Sequence, residues 1–198
     1  MFILNMFVNN TMPIIDIIMG GLTFSQEKLK NVGNNEEDTL WAWLIIIFAV
    51  IWEPLLSLIA GHAPGHSAFG RQNLTGINLF IGVMVSDIIG TVIFAFLLWI
   101  VIAFLFKASH VTFNGTIRII AAANIWRIIG AIGLLLPYPI STIFLAIGFL
   151  LMIVVIYIGL LAYSEKRWYI VLLTGIIAFL LNFIVSDIWS ILWLSVVG

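Results

Sequence analysis

Five apolar runs, each about 20 residues or longer, constrain this chain more than any other feature: 40–60, 77–106, 116–136, 140–163 and 168–193. Hydrocarbon offers the backbone no water to bond with. A segment of this length must therefore satisfy its own amides and carbonyls, which in an open chain only a helix does. The reading that follows is an all-α, polytopic integral membrane bundle of five transmembrane helices. The second run is long enough to tilt or to project past the hydrocarbon. Leu136-Pro137-Tyr138-Pro139 separates the third run from the fourth, because closely spaced prolines remove donors and push the preceding residues out of the α region, which makes a tight helical hairpin.

Composition agrees with this solvent assignment. Of 198 residues 63% are hydrophobic and 9% charged, and the mean hydropathy is +1.22, well outside the range of a water-soluble domain. A net charge of −1 supplies no long-range field for nucleic acid, so no nucleic-acid partner is expected. The absence of cysteine excludes disulfides, thiolate metal sites and cysteine nucleophiles.

Residues 1–39 read as a cytoplasmic N-terminal segment ahead of a transmembrane domain at 40–198. Its apolar start carries no preceding Lys or Arg and is interrupted by Asn5, Asn9 and Asn10, so no removable leader is expected. Pro13 to Met19 is apolar apart from Asp16, and Gly20-Gly21 is expected to break it. Ser25 can then cap a short helix beginning Gln26-Glu27-Lys28-Leu29-Lys30, placed at the membrane interface because no run of about 18 apolar residues is available there. Residues 61–76, rich in Gly, Pro, His and Ser, read as a loop.

Orientation follows from the short loops. With the N-terminus inside, Lys28, Lys30, Lys107, Lys166 and Arg167 fall on the cytoplasmic side and Arg71 alone on the outer side. The odd span count then leaves the C-terminus outside or lumenal.

Function in such a protein is sought among polar residues inside the spans, which are costly and turn inward. Arg118 lies near the cytoplasmic start of the third run and is expected to snorkel to the interface. Glu53, Asp87, Arg127 and Asp187 all fall in the outer halves of their runs. Arg127 shares a face with Ala123, Asn124, Gly130 and Ala131 at spacings of three and four, and Gly175, Ala178, Asn182, Ser186 and Trp189 make a similar stripe on the fifth run. Gly82, Ser86 and Gly90 form a small-residue ridge suited to close helix packing. The expected cluster is thus Glu53, Asp87, Asn124, Arg127, Asn182 and Asp187. It serves either as a structural pairing of Arg127 with Asp87, Asp187 or both, or as a wet site for a proton, an ion or a lipid headgroup.

Other signals are weak. His62 and His66 lie in a Gly/Pro-rich loop rather than on a helix, and Asn73-Leu74-Thr75 is a common sequon. Trp41, Trp43, Trp168, Tyr169, Trp189 and Trp193 fit interfacial anchors. There is no nucleophile elbow, phosphate loop, zinc-protease helix or dinucleotide fingerprint, so no catalytic, metal or cofactor site is expected and the chain reads as a non-enzyme.

The stretch Phe106-Lys107, Phe113-Asn114-Gly115-Thr116-Ile117-Arg118-Ile119-Ile120-Ala121-Ala122-Ala123, then Pro137 and Pro139, then Gly159-Leu160 and Tyr163-Ser164-Glu165-Lys166-Arg167 resembles the Yip (Ypt-interacting protein) domain family, prokaryotic-type branch. Leu22-Thr23-Phe24-Ser25-Gln26-Glu27-Lys28-Leu29 is similar to the membrane-proximal helix of bacterial and archaeal members. The resemblance implies five spans, a cytoplasmic N-terminus, and a non-enzymatic scaffold or adaptor in membrane organisation or trafficking. The implied partners are the lipid bilayer and other membrane proteins or itself, in a prokaryotic plasma membrane. A small transporter or lipid-translocating protein using the intramembrane polar cluster is the competing expectation.

Overall fold

The computed structural model describes residues 13–60 and 77–197; within these, the side-chain surroundings of 13, 77–83, 86, 183 and 185–197 are outside the description. Every regular element among the described residues is helical, as backbone self-satisfaction in lipid requires. The order is α1 (Pro13–Thr23), α2 (Gln26–Asn34), a 3-10 turn (Glu36–Asp38), α3 (Thr39–Ile59), α4 (Ile77–Ile100) running on through a π turn (Val101–Leu105), α5 (Phe113–Ile132) ending in a 3-10 turn (Gly133–Leu135), α6 (Ile140–Ser164) and α7 (Trp168–Val197). Among the described residues, α3, α4 with its π turn, α5 and α6 are each long and apolar enough to cross a membrane, and α1 and the first half of α7 are shorter apolar helices. The protein is a membrane-embedded helical bundle.

At its centre stands α5, the least apolar of those four helices and the most buried. Residues 115–125 are buried on every side of the helix. The physical reason is that lipid-facing surface must be apolar, whereas a helix enclosed by others profits from small and polar residues that let backbones approach. Ala121, Ala122 and Ala123 occupy that stretch, each fully buried. Lipid-type surface lies instead on α6 and α7, where Ile143, Phe144, Ile147, Leu150, Leu172 and Phe179 are exposed.

Helices α5 and α6 form the hairpin expected around Pro137 and Pro139. Their backbones meet at Gly130 and Gly148: a Cβ added to Gly148 would lie 2.7 Å from the Trp126 carbonyl oxygen and 2.8 Å from the Gly130 Cα. The expected ridge on α4 behaves differently. A Cβ at Gly90 would meet nothing within 4 Å, so Gly90 is not a point of close helix approach; Gly82 and Ser86 lie outside the described surroundings. The tight contacts fall on α5 because that helix, not α4, is the one enclosed.

The N-terminal region departs from the sequence reading at Gly20-Gly21. These glycines do not break the helix, which runs on to Thr23; the chain reverses at Phe24, whose φ is 53°. The glycines serve contact instead. A Cβ at Gly21 would fall 2.1 Å from the Ala122 carbonyl oxygen, and one at Gly20 would be 3.3 Å from Leu29. Helix α1 therefore packs on α5 with almost no side chain between the two backbones. Trp126 Nε1 donates to the Gly21 carbonyl at 2.9 Å, and its ring stacks on Phe24.

The short helix expected after Ser25 is present as α2, with the Ser25 hydroxyl accepting from the Lys28 amide. Its apolar face, Leu29 and Val32, is fully buried and Gly33 rests on the Tyr163 ring, so α5 and α6 cover it. Lys30 pairs with Glu165 just past α6, and Lys166 Nζ donates to the Lys107 carbonyl at 3.2 Å. These bonds tie α2, the α4–α5 connection and the α6–α7 turn into one end of the bundle.

Candidate functional site

Two arginines on α5, nine residues apart in the sequence, organise the polar chemistry of the bundle. Arg127 stands in the last turns of α5, facing α3 and α4. Its Nε donates to Glu53 Oε2 at 2.8 Å and its Nη2 to Asp87 Oδ2 at 2.5 Å. One guanidinium thus holds two carboxylates from two other helices, leaving a formal charge of −1 on the trio. The side chains of Arg127, Glu53 and Asp87 are 21%, 36% and 30% exposed, so the described helices do not fully enclose the trio. Beyond residue 125 the enclosure of α5 also loosens, and 126–129 are only half-buried.

Among the expected cluster residues, Glu53, Asp87 and Arg127 come together. Asn124 does not join them: it is buried, and its Nδ2 donates to the Ile120 carbonyl one turn back on the same helix at 2.9 Å. A bond within α5 takes the place of the interhelical one. Asn182 is half-buried on α7, and no hydrogen bond or ion pair joins it to the trio among the described residues. The side chain of Asp187 lies outside the described residues, as do His62, His66, Arg71 and the sequon at Asn73.

Arg118 forms the second cluster, and here the expectation of a snorkelling side chain fails. The residue is 2% exposed. Its Nε donates to the Val32 carbonyl at 2.9 Å, its Nη2 to the Gly33 carbonyl at 2.6 Å and its Nη1 to the Thr39 hydroxyl at 2.6 Å. The last carbonyls of any α-helix lack intrahelical donors, and a cation at that end also favours the helix dipole. Arg118 supplies both to α2. The signal available in the sequence was the end of α2 itself, Gly33-Asn34-Asn35, whose last carbonyls need donors; nothing local named Arg118 as the donor.

Tyr163 closes this end. Its hydroxyl accepts from the Thr112 amide at 3.0 Å while Thr112 caps α5 by accepting from the Gly115 amide; its ring packs on Gly33 and Gly115, and its carbonyl bonds His110 Nε2 at 3.0 Å.

Asp38, in the turn that links α2 to α3 ahead of the apolar stretch, is 0% exposed. Oδ1 accepts from Asn35 Nδ2 at 2.9 Å, and Oδ2 has no partner among the described residues. Burial, and then the nearby Asp16 carboxylate, push its pKa up to about 6, against the opposing pull of Arg118 and Asn35. Glu165 behaves in the opposite way: the Lys30 ammonium holds its carboxyl below the usual range.

No group of three or more His, Cys, Asp or Glu among the described residues could hold a metal ion. Compared with family models, with curated protein sequences and with solved structures, the chain matches none.

Proposed function

We propose that the protein is a non-enzymatic multi-pass membrane scaffold or adaptor, of the kind the resemblance to the Yip domain family implies. The observation that carries this reading is the seating of α2: Arg118 and Tyr163 clamp it to the bundle, so that Gln26, Glu27, Lys28 and Asn31 are presented as a fixed polar face. Glu36, Glu37, Lys107 and Arg167 are exposed as well. A preorganised polar surface loses little entropy when a partner docks, which suits recruitment of other membrane proteins or a second copy of the chain.

In this reading α7, 30 residues long, is a fifth span. The end that gathers Lys28, Lys30, Lys107, Lys166 and Arg167 faces the cytoplasm under the positive-inside rule, with the C-terminus on the opposite side. The host membrane is a prokaryotic plasma membrane. Extraction of the protein with its native lipid, followed by cross-linking and identification of what co-purifies, tests the proposal. Self-association or a reproducible membrane-protein partner is expected, and both should weaken when Lys28 and Asn31 are replaced by Ala. A strictly solitary protein overturns it.

A second reading, a small transporter or lipid-translocating protein, draws on the partly exposed trio of Arg127, Glu53 and Asp87, since intramembrane charges often mark pathways. Liposome assays of proton, cation and lipid flux decide it. Flux lost in Asp87→Asn supports translocation, and flux no higher than in empty vesicles removes the tested substrates.

A further inference from the structure

We infer that Asp38 makes the seating of the α1/α2 pair on the bundle responsive to pH, the pair holding tightest when this carboxyl is neutral. The geometry is that of a latch. Asp38 occupies the only covalent link from α2 into α3, is 0% exposed, and is approached by charged groups from each neighbouring element: Asp16 on α1, Arg118 on α5 and Glu37 in its own turn.

Arg118 does not neutralise it directly. Three of its five N–H groups donate elsewhere, to the Val32 carbonyl, the Thr39 hydroxyl and the Gly33 carbonyl, and among the described residues no ion pair joins it to Asp38. Asn35 satisfies only one carboxylate oxygen, and the other has no partner among the described residues. An ionised carboxylate left in that position is costly, whereas a neutral carboxyl is much less so. Water becomes available to the charge if the turn leaves its seat, and Asn35 would leave with it. Because Asn35 also ends α2, with its amide bonded to the Asn31 carbonyl, loosening the turn loosens the helix.

The direction follows from proton linkage. A carboxyl held near 6 when seated and near 3.8 when free binds more protons in the seated state, so seating is fully favoured below the lower value and weakens as pH rises through the upper one. Between pH 5 and pH 8 the seating equilibrium should fall about tenfold.

The absence of native cysteine permits a direct test. Spin labels at Asn31→Cys on α2 and Arg167→Cys beyond α6 report the distance between α2 and the bundle in lipid nanodiscs. At pH 5 a single short distance is expected; at pH 8 a longer component should grow by about tenfold relative to the short one. Asp38→Asn, which removes the charge, should stay short at both values, and Asp16→Asn should lower the longer component at pH 8. An unchanged wild-type distribution from pH 5 to pH 8 overturns the inference, as does an Asp38→Asn protein that keeps the wild-type response. Should Asp38→Asn fail to fold, Asp16→Asn decides: a pH response identical to wild type overturns it.

Discussion

Arg118 Nη2 donates to the Gly33 carbonyl at 2.6 Å, joining a residue one turn inside the central helix to the last turn of a helix 85 positions earlier. The bond makes the N-terminal segment part of the bundle. It also fixes what loss of the side chain would do.

Arg118→Met leaves the Val32 and Gly33 carbonyls without donors at a site closed to water. Each buried acceptor left unsatisfied should cost about 1–3 kcal/mol. Arg118→Lys keeps the charge but not the three-way fork and should recover less than half of the loss. Unfolding in mild detergent, followed together with proteolytic cleavage between Ser25 and Thr39, measures both: cleavage should rise sharply in Arg118→Met.

Gly21→Ala should release α1 from α5, because the new Cβ would fall 2.1 Å from the Ala122 carbonyl oxygen. Gly148→Ala should likewise separate the α5–α6 hairpin. Overpacking of this kind costs about 1–3 kcal/mol. Gly90→Ala is the control and should be neutral or slightly stabilising, since open space surrounds that position and Ala favours helix. Thermal unfolding of the three variants in one detergent orders them.

Arg127→Met leaves Glu53 and Asp87 facing one another without a cation. With side chains 21–36% exposed, the trio is less enclosed than a fully buried one, so a loss of about 1–3 kcal/mol, below that of a sealed ion pair, is expected. Adding Glu53→Gln and Asp87→Asn to Arg127→Met removes the stranded charges and should restore most of that stability. A triple variant as unstable as Arg127→Met would show that packing of the arginine stem, not charge, sets the cost.

Tyr163→Phe deletes the acceptor for the Thr112 amide while leaving the ring on Gly33 and Gly115. Thr112→Ala deletes the α5 cap. Each should cost about 1 kcal/mol. In a double-mutant cycle the pair should be non-additive by about 0.5 kcal/mol or more, because the Thr112 hydroxyl also lies 3.2 Å from the Tyr163 hydroxyl.

How much of this was legible in the chain differs from residue to residue. Ser25 signalled the start of α2 because a cap acts on amides two and three positions away, and Pro137 and Pro139 signalled the α5–α6 hairpin through local backbone geometry. Arg127 was recognisable as a residue needing an acidic partner, and Asp87 was among those expected. Glu53 as its second partner was not, because side-chain reach between α3 and α5 depends on how those helices cross. Gly20-Gly21 was misread because a small residue permits either a break or a close approach, and only the neighbouring helix shows which.

The sequence by itself determined that the protein is helical and lives in a membrane, since long apolar runs in a solvent without hydrogen bonds leave the backbone one solution. It also placed the charged residues in two groups along the chain. The small and polar stripe on the third run already pointed to that helix as the centre; tertiary structure alone decided that α1 and α2 pack against it, that Arg118 caps α2, and that Arg127 holds Glu53 as well as Asp87. Those outcomes depend on contacts between residues 40 to 105 positions apart, for which periodicity and local propensity carry no information.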